Sequence, residues 1–448
     1  MVSGVHELGV AYRSGAMTPL DAVEQCLAAI EVLDGQVGAW QSVYADEARA
    51  AAAAAGDALA QGQDLGPFHG IPFALKDIVD LEGRVATAGC YEYRDRISPA
   101  TASIASSLLA AGGILVGKTK TVEFAMGGWG TNQHMGTPWN PWDAVTHRTP
   151  GGSSCGSGAA VGAGMVPCAV GTDTGGSVRL PAAFCGIVGL KTTEGLLPID
   201  GIVPLSHTLD TPGPMTRSTI DAALMFEAMG GSAVTEADLA AGVQGLRLAV
   251  IGPRERDGVA EEQLAGFDNA VDLLRSLGAV VEEVDPPRPF DEMKDTTFVI
   301  VTAEAYYHHG ALMDDLSARI DENVRGRIRP GAEITAAQYV AAALERQADQ
   351  AVFADAMSGF DAYLTPTTPT LALPVEGVDE GTTPARFTRA GNYLALCGTA
   401  VPWGVAPSGL PGSLQVMSRG GDERLALQIT AAFEAARGPL PQPPIWPA

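Results

Sequence analysis

Residues 151–185 read GGSSCGSGAAVGAGMVPCAVGTDTGGSVRLPAAFC, a stretch that is either a linker or the middle of a core. Ser153, Ser154, Ser157 and Ser177 stand among glycines, with no histidine, glutamate or lysine between them. A glycine–serine run is ordinarily flexible. Here the apolar segments AAVGAGMVPCAV and VRLPAAFC interleave with the glycines, which fits tight turns buried in a core. Glycine tolerates φ > 0 and close backbone approach, and consecutive N–H groups in such turns converge on an anion. GTDTGGS therefore reads as an oxyanion hole ending on its own nucleophile, Ser177. One donor in such a hole contributes roughly 3–4 kcal/mol to transition-state stabilisation. The stretch itself supplies no base.

Working outward, Thr18-Pro19-Leu20-Asp21 caps a helix that runs through Leu33, and the alanine-rich run 43–60 predicts a second. GIPFALKD (70–77) holds the apolar run Pro72–Leu75 closed by Lys76-Asp77, the pattern of a buried strand ending in charge. Between 100 and 200 the signals alternate: helix at 101–111, strand at 113–118, helix from 154, strands at 168–173 and 186–191. Further strands are predicted at 246–252, 279–285, 361–366 and 412–419, with helices at 260–277 and 424–436. This rhythm predicts an α/β fold, a large mixed β-sheet core flanked by helices in an α/β/α sandwich. Segment 290–357 breaks the rhythm, being helical, charged and aromatic (Phe298, Tyr306, Tyr307, Tyr339). It is expected to be a helical cap inserted over the substrate's access. No repeat or low-complexity linker divides the chain, so 1–448 is expected to be one domain, irregular only in its tail, 438–448.

The chain has 448 residues, 46% of them hydrophobic, ample for a large core. Its 52 acidic and 28 basic residues give a formal charge of -24, which repels nucleic-acid phosphates and anionic membranes alike. Neither is an expected partner. The opening MVSGVHELGVAYRSG has no basic region or apolar core, and no apolar run reaches the ~18 residues of a membrane span, so a cytoplasmic protein is expected. Six scattered cysteines without C-x-x-C spacing read as buried free thiols. No Cys/His cluster suggests zinc, and His308-His309 fits a helix surface. No metal or cofactor is expected.

GGILVGKT (112–119) satisfies the Walker A pattern through Gly112, Gly117, Lys118 and Thr119. A phosphate loop needs a strand before the glycines and a helix starting at the lysine. Here the order is inverted, with a helix before and Ile114-Leu115-Val116 forming a strand. A place in the sheet core is the better account.

For the missing base, none of the seven histidines sits in a familiar triad arrangement. His147, four residues before the glycine run, is a candidate; ordering the loop TPWNPWDAVTHRTPGG is its other role. At this point the residues carry a resemblance. The segment from GGSSCGSG through GTDTGGS to GLK resembles the signature of the amidase signature family of serine hydrolases, and GIPFALKD resembles that family's lysine motif. NPWD (140–143), DTPGPMTR (210–217), LTPTTPT (364–370) and GLPGSLQV (409–416) extend it over nearly the whole chain, with the signature core at 60–220.

The resemblance implies the amidase signature fold and a Ser-Ser-Lys catalytic group with one serine on a cis peptide bond. Matched motif by motif, Ser177 attacks the carbonyl, Ser153 relays the proton and Lys76 is the base. The backbone N–H groups of Thr174, Gly175, Gly176 and Ser177 hold the oxyanion; Ser154 and Asp173 brace the site, and Arg179 supports the fold. The chemistry agrees, because a lysine is a base only when neutral and burial disfavours its charged form. Asp77 and Asp80 would oppose that effect if close. Cys155 stands where the family commonly has glycine and Thr192 where proline is frequent; neither change touches the three catalytic positions.

The loop FAMGGWG (124–130) corresponds to a position beside the nucleophile, which makes Met126, Gly127 and Trp129 candidate pocket residues, joined by Tyr306 and Tyr307 from the helical segment. The expected activity is hydrolysis of a small apolar or aromatic amide, anilide or carbamate, with urethanase or esterase side activity, by a monomer or homodimer. The alternatives are a urea-like hydrolase of allophanate or biuret type and a tRNA-dependent amidotransferase A-type subunit. That last branch usually has glutamine where this chain has Leu180.

Overall fold

Eleven strands form one sheet in the computed structural model, which describes residues 1–446. They are β1 (Trp40–Val43), β2 (Pro72–Lys76), β3 (Ile114–Thr119), β4 (Cys168–Asp173), β5 (Val188–Lys191), β6 (Thr211–Thr216), β7 (Arg247–Ile251), β8 (Val280–Val284), β9 (Ala362–Pro366), β10 (Cys397–Val405) and β11 (Pro411–Ser418). Their spatial order is β1-β3-β2-β4-β6-β5-β10-β11-β9-β7-β8. β2 runs parallel to β3 and β4, and β7 parallel to β8 and β9. The strands between these parallel groups pair antiparallel, so the sheet is mixed, as expected. Pro447 and Ala448, the end of the tail expected to be irregular, lie outside the described residues.

β2 and β4 sit inside the sheet and are buried along their whole length, which explains their unbroken apolar sequences. Beside them runs the helix Cys155–Gly162, all eight residues of it buried. Only glycine, alanine, serine, cysteine and valine occur in it, and their small volume lets a helix pass through the centre of a core. The Walker-like residues are structural. A Cβ on Gly117 would collide with the carbonyl oxygen of Ser42 in β1, and Lys118 is buried with Nζ 2.8 Å from the Val85 carbonyl and 3.4 Å from Asp77.

Three strands escape the sequence reading. β1 precedes the helix Ala45–Ala60, and Val43, expected to open that helix, ends the strand instead. β6 (TPGPMT) and β10 (CGTAVPWGV) contain prolines, which ordinarily argue against a central strand. Pro212 and Pro214 share one parity, so they pair with β4 as the members of the ladder that need donate nothing. On their other side β5 reaches only Met215 and Thr216.

Segment 290–357 contains the helices Met293–Asp314, Glu322–Ile328 and Ala336–Ala356. His309 departs from the expected helix surface. It is buried, stacked on Phe124 at 4.1 Å, with Nε2 2.7 Å from the Pro204 carbonyl, and burial pulls its pKa down to about 4. All six cysteines are free and buried. No helix among the described residues is long and apolar enough to cross a membrane.

Candidate active site

Lys76 ends β2 with a side chain wholly removed from solvent. Its Nζ lies 2.7 Å from Ser153 Oγ and donates at 2.8 Å to Thr172 Oγ1 on β4. Burial lowers its pKa from the ordinary 10.5 to about 7, against smaller opposing contributions from Cys155, Asp210 and Asp173. Asp77 and Asp80, which would oppose the effect if close, are turned elsewhere. Asp77 faces away, as consecutive residues of an extended chain do, and accepts from Thr87 N at 3.0 Å. Asp80 is engaged by Arg96 at 2.7 Å.

Ser153 follows a cis peptide bond from Gly152. Its carbonyl accepts from Thr121 Oγ1 at 3.0 Å and Val122 N at 3.1 Å, which fixes the backbone while Oγ points to Lys76. Ser154 Oγ lies between the backbone N–H and C=O of Thr172, at 3.2 and 3.3 Å, and ties the turn to β4. Cys155 is a buried thiol whose pKa burial raises to about 11, so it is neutral and encased. Ser157 sits within the helix Cys155–Gly162, bonded to the Val170 carbonyl.

The turn after β4 is organised by Asp173. Its carboxylate accepts from Gly176 N at 2.8 Å, Val178 N at 3.2 Å and Asn392 Nδ2 at 2.9 Å, and pairs with Arg179 at 2.9 Å. Burial alone would raise its pKa; the Arg179 guanidinium, the Lys191 charge and the Asn392 amide outweigh it and hold the group at about 2. Arg179, fully buried, also reaches Gln415 and Asn392, at 2.8 and 2.6 Å. Of the four N–H groups expected to hold the oxyanion, that of Gly176 is committed to Asp173. The N–H groups of Thr174, Gly175 and Ser177 find no acceptor among the described residues. Gly176 has φ +131°, and a Cβ there would strike Thr388, so the turn demands glycine.

Ser177 is 7% exposed whereas Ser153 and Lys76 are at 0%. Of the three, Ser177 alone lines a cavity of about 260 Å³. Its walls are Ala125, Met126, Gly127 and Gly128, the turn residues Thr174 and Gly175, the apolar Leu180 and Leu205, and a helical stripe of Lys294, Thr297, Phe298, Val301 and Thr302. Arg327, Gly381–Thr383, Ala385 and Arg389 complete it. Lining is mostly apolar, with a few polar groups near the serine, as small-molecule sites are built.

Of the five expected pocket residues, Met126 and Gly127 line the cavity. Trp129 is turned into the core, stacked against Phe184 with Nε1 on the Thr382 carbonyl at 3.0 Å. Tyr306 bonds Asp314 and packs on the backbone of Gly331, and Tyr307 is 80% exposed. The cavity-facing stripe of that helix runs 294, 297, 298, 301, 302, a spacing of three and four. Tyr306 lies a turn beyond it and Tyr307 off its phase. His147 stacks on Trp139 at 4.5 Å with Nε2 near the Pro138 carbonyl, so it orders its loop. Thr172, Asn392 and Arg389 escaped the sequence reading. Thr172 lies inside GTDTGGS, where alternation along β4 was the available signal; the other two carry none.

The sequence model of the Amidase family matches residues 21–427. The 2-amino-5-chloromuconic acid deaminase of Comamonas testosteroni is 35% identical over 439 residues, 95% of this chain and 94% of that protein. The A-type subunit of the glutamyl-tRNA(Gln) amidotransferase from Anaeromyxobacter dehalogenans (strain 2CP-C) is 36% identical, over 98% of this chain and 97% of its own. Among solved structures, a bacterial aryl acylamidase of the amidase signature family superposes with a TM-score of 0.87 at 25% identity, covering 97% of this chain and 96% of its own.

Proposed function

The chain belongs to the amidase family, and on that footing we propose that it hydrolyses the C–N bond of a small-molecule amide with an apolar or aromatic portion, through an acyl-enzyme on Ser177. The observation that carries this reading is the buried contact between Lys76 Nζ and Ser153 Oγ at 2.7 Å, behind a serine that opens on the cavity. Neutral Lys76 accepts the Ser153 hydroxyl proton while Ser153 takes the proton of Ser177, whose Oγ bonds to the carbonyl carbon. The carbonyl oxygen gains the negative charge and is held by the N–H groups of Thr174, Gly175 and Ser177. Proton return along the same path to the leaving nitrogen expels the amine. A water then attacks the ester, the relay repeats, and the carboxylic acid leaves.

The Asp173–Arg179 pair positions this turn without touching substrate. Segment 290–357 acts as the cap, contributing Phe298 and Val301 to the apolar wall. A carbamate fits the same attack, with carbon dioxide lost after the first leaving group. A panel of p-nitroanilides, primary amides, ureas and carbamates tests the reading. Turnover of aryl or alkyl amides, abolished in Ser177→Ala, is expected; turnover of small polar ureas alone would overturn the pocket assignment. The likeness to the tRNA-dependent amidotransferases supports a second reading, in which glutamine is the amide donor. Leu180 in the wall places an apolar group there, and glutaminase activity exceeding that on every aryl amide would decide for it.

A further inference from the structure

The helix Arg386–Tyr393 packs against the turn that carries Ser177. Thr388 Oγ1 donates to the Gly175 carbonyl at 2.8 Å, and Asn392 Nδ2 reaches Asp173 Oδ1 at 2.9 Å. Arg389, three residues before Asn392 and so on its side of the helix, lines the cavity. Its stem follows the oxyanion turn, with Cγ 3.9 Å from where a Cβ on Gly175 would sit.

The other guanidinium groups around the site are engaged. Arg179 is held by Asp173 and Gln415, Arg327 by the Met126 carbonyl and Glu380, and Arg386 by Glu255 and Asp291. The Arg389 guanidinium has no hydrogen bond and no ion pair among the described residues, although Asp291 and Asp295 lie near enough to favour its charge. Burial opposes those acids and lowers its pKa from the ordinary value, yet a guanidinium remains charged at any working pH. Lys294, on the exposed side of the cavity, adds a second cation. Serine attack on an amide needs no fixed cation here, because backbone N–H groups hold the oxyanion. Arg389 is half-buried, so its guanidinium opens on the cavity without a protein partner and is free to take a ligand, and a bidentate carboxylate is the partner its planar fork matches.

Resting on the amide-hydrolase reading, we propose that the substrate carries a carboxylate, held by Arg389 with Lys294 as an outer cation. The site thus selects amides bearing an acid group over neutral ones, and the apolar wall covers the carbon skeleton between amide and acid.

The test uses two sets of probes: the ω-carboxy primary amides succinamate, glutaramate and adipamate, and 4-acetamidobenzoate, each beside its methyl ester. Wild-type enzyme is expected to favour at least one acid over its ester in kcat/KM. Arg389→Gln should shrink that acid-to-ester ratio about 10- to 100-fold, mainly through KM, the loss expected of a hydrogen-bonded charge pair. Arg389→Lys should restore part of it. The rate of Ser177 labelling by a fluorophosphonate reports the integrity of each variant. Equal use of acid and ester by wild type in both sets, or a ratio indifferent to Arg389→Gln, overturns the proposal. Failure of the amide-hydrolase reading shows separately: neither acids nor esters turn over, while calorimetry on Ser177→Ala still finds the acids bound in an Arg389-dependent way. Acids that bind Ser177→Ala no better than their esters overturn the carboxylate site whatever the turnover.

Discussion

Replacing Lys76 by methionine should abolish activity and stabilise the protein at neutral pH. Taking the lysine from 10.5 in the unfolded chain to about 7 in the fold corresponds to a cost of about 5 kcal/mol below pH ~7. Methionine has similar length and no charge, so it escapes this cost. It also forfeits the two hydrogen bonds of Nζ to Ser153 and Thr172, each contributing about 1 kcal/mol. The net expectation is a gain of about 3 kcal/mol near pH 6.5. The sign of the pH dependence follows from proton counts. Between pH ~7 and ~10.5 the unfolded lysine is protonated and the native one is not, so wild-type stability rises with pH over this window. The advantage of Lys76→Met therefore shrinks across it, reaches zero near pH ~9, where the remaining cost equals the two lost hydrogen bonds, and becomes a deficit of about 2 kcal/mol by pH ~10.5. Urea unfolding of both proteins at several pH values measures the difference directly. In parallel, wild-type kcat/KM on a neutral amide should fall about tenfold per pH unit below ~7, as the neutral amine is titrated away. A variant less stable than wild type by the same margin at every pH, or a rate profile flat from about pH 5 to 9 in folded enzyme, would refute the reasoning.

Arg179→Met should lower stability by about 3–5 kcal/mol, because it strands the Asp173 carboxylate at full burial; adding Asp173→Asn should recover part of the loss in denaturant melts, a coupling that independent sites would not give. Gly176→Ala should slow acylation more than it weakens substrate binding, since a Cβ at φ +131° pushes on Thr388 and moves the turn; single-turnover kinetics separate the two. Cys155→Ala should keep activity within a few-fold, and iodoacetamide should leave the native enzyme active, because this thiol is encased with a pKa of about 11; rapid inactivation protected by substrate would contradict it.

The strands whose apolar runs are uninterrupted, β2, β4 and β7, were legible in the sequence, as was the segregation of segment 290–357 into helices. The proline-bearing β6 and β10 were not, because their tolerance depends on which neighbour demands a donor, and that is a property of sheet order. Ser177 could be singled out from its glycine turn, but Lys76 and Ser153 only through the resemblance of GIPFALKD and GGSS to a family's motifs; the fold brings Lys76 and Ser153 into direct contact. Pocket residues are a different matter. Phe298 lines the cavity while Tyr306 and Tyr307, on the same helix, do not, and only helical phase relative to the core separates them. Arg389 has an ordinary local sequence; what distinguishes it is a guanidinium without a partner among the described residues, which no sequence displays.

The most direct test of the account is covalent. Incubation with a fluorophosphonate followed by peptide mass spectrometry should place a single label on Ser177, with labelling slowed by orders of magnitude in Lys76→Met and Ser153→Ala. A label on Ser154 or Cys155, or a Ser177 labelling rate that survives the loss of Lys76, would contradict a serine nucleophile served by a buried neutral lysine.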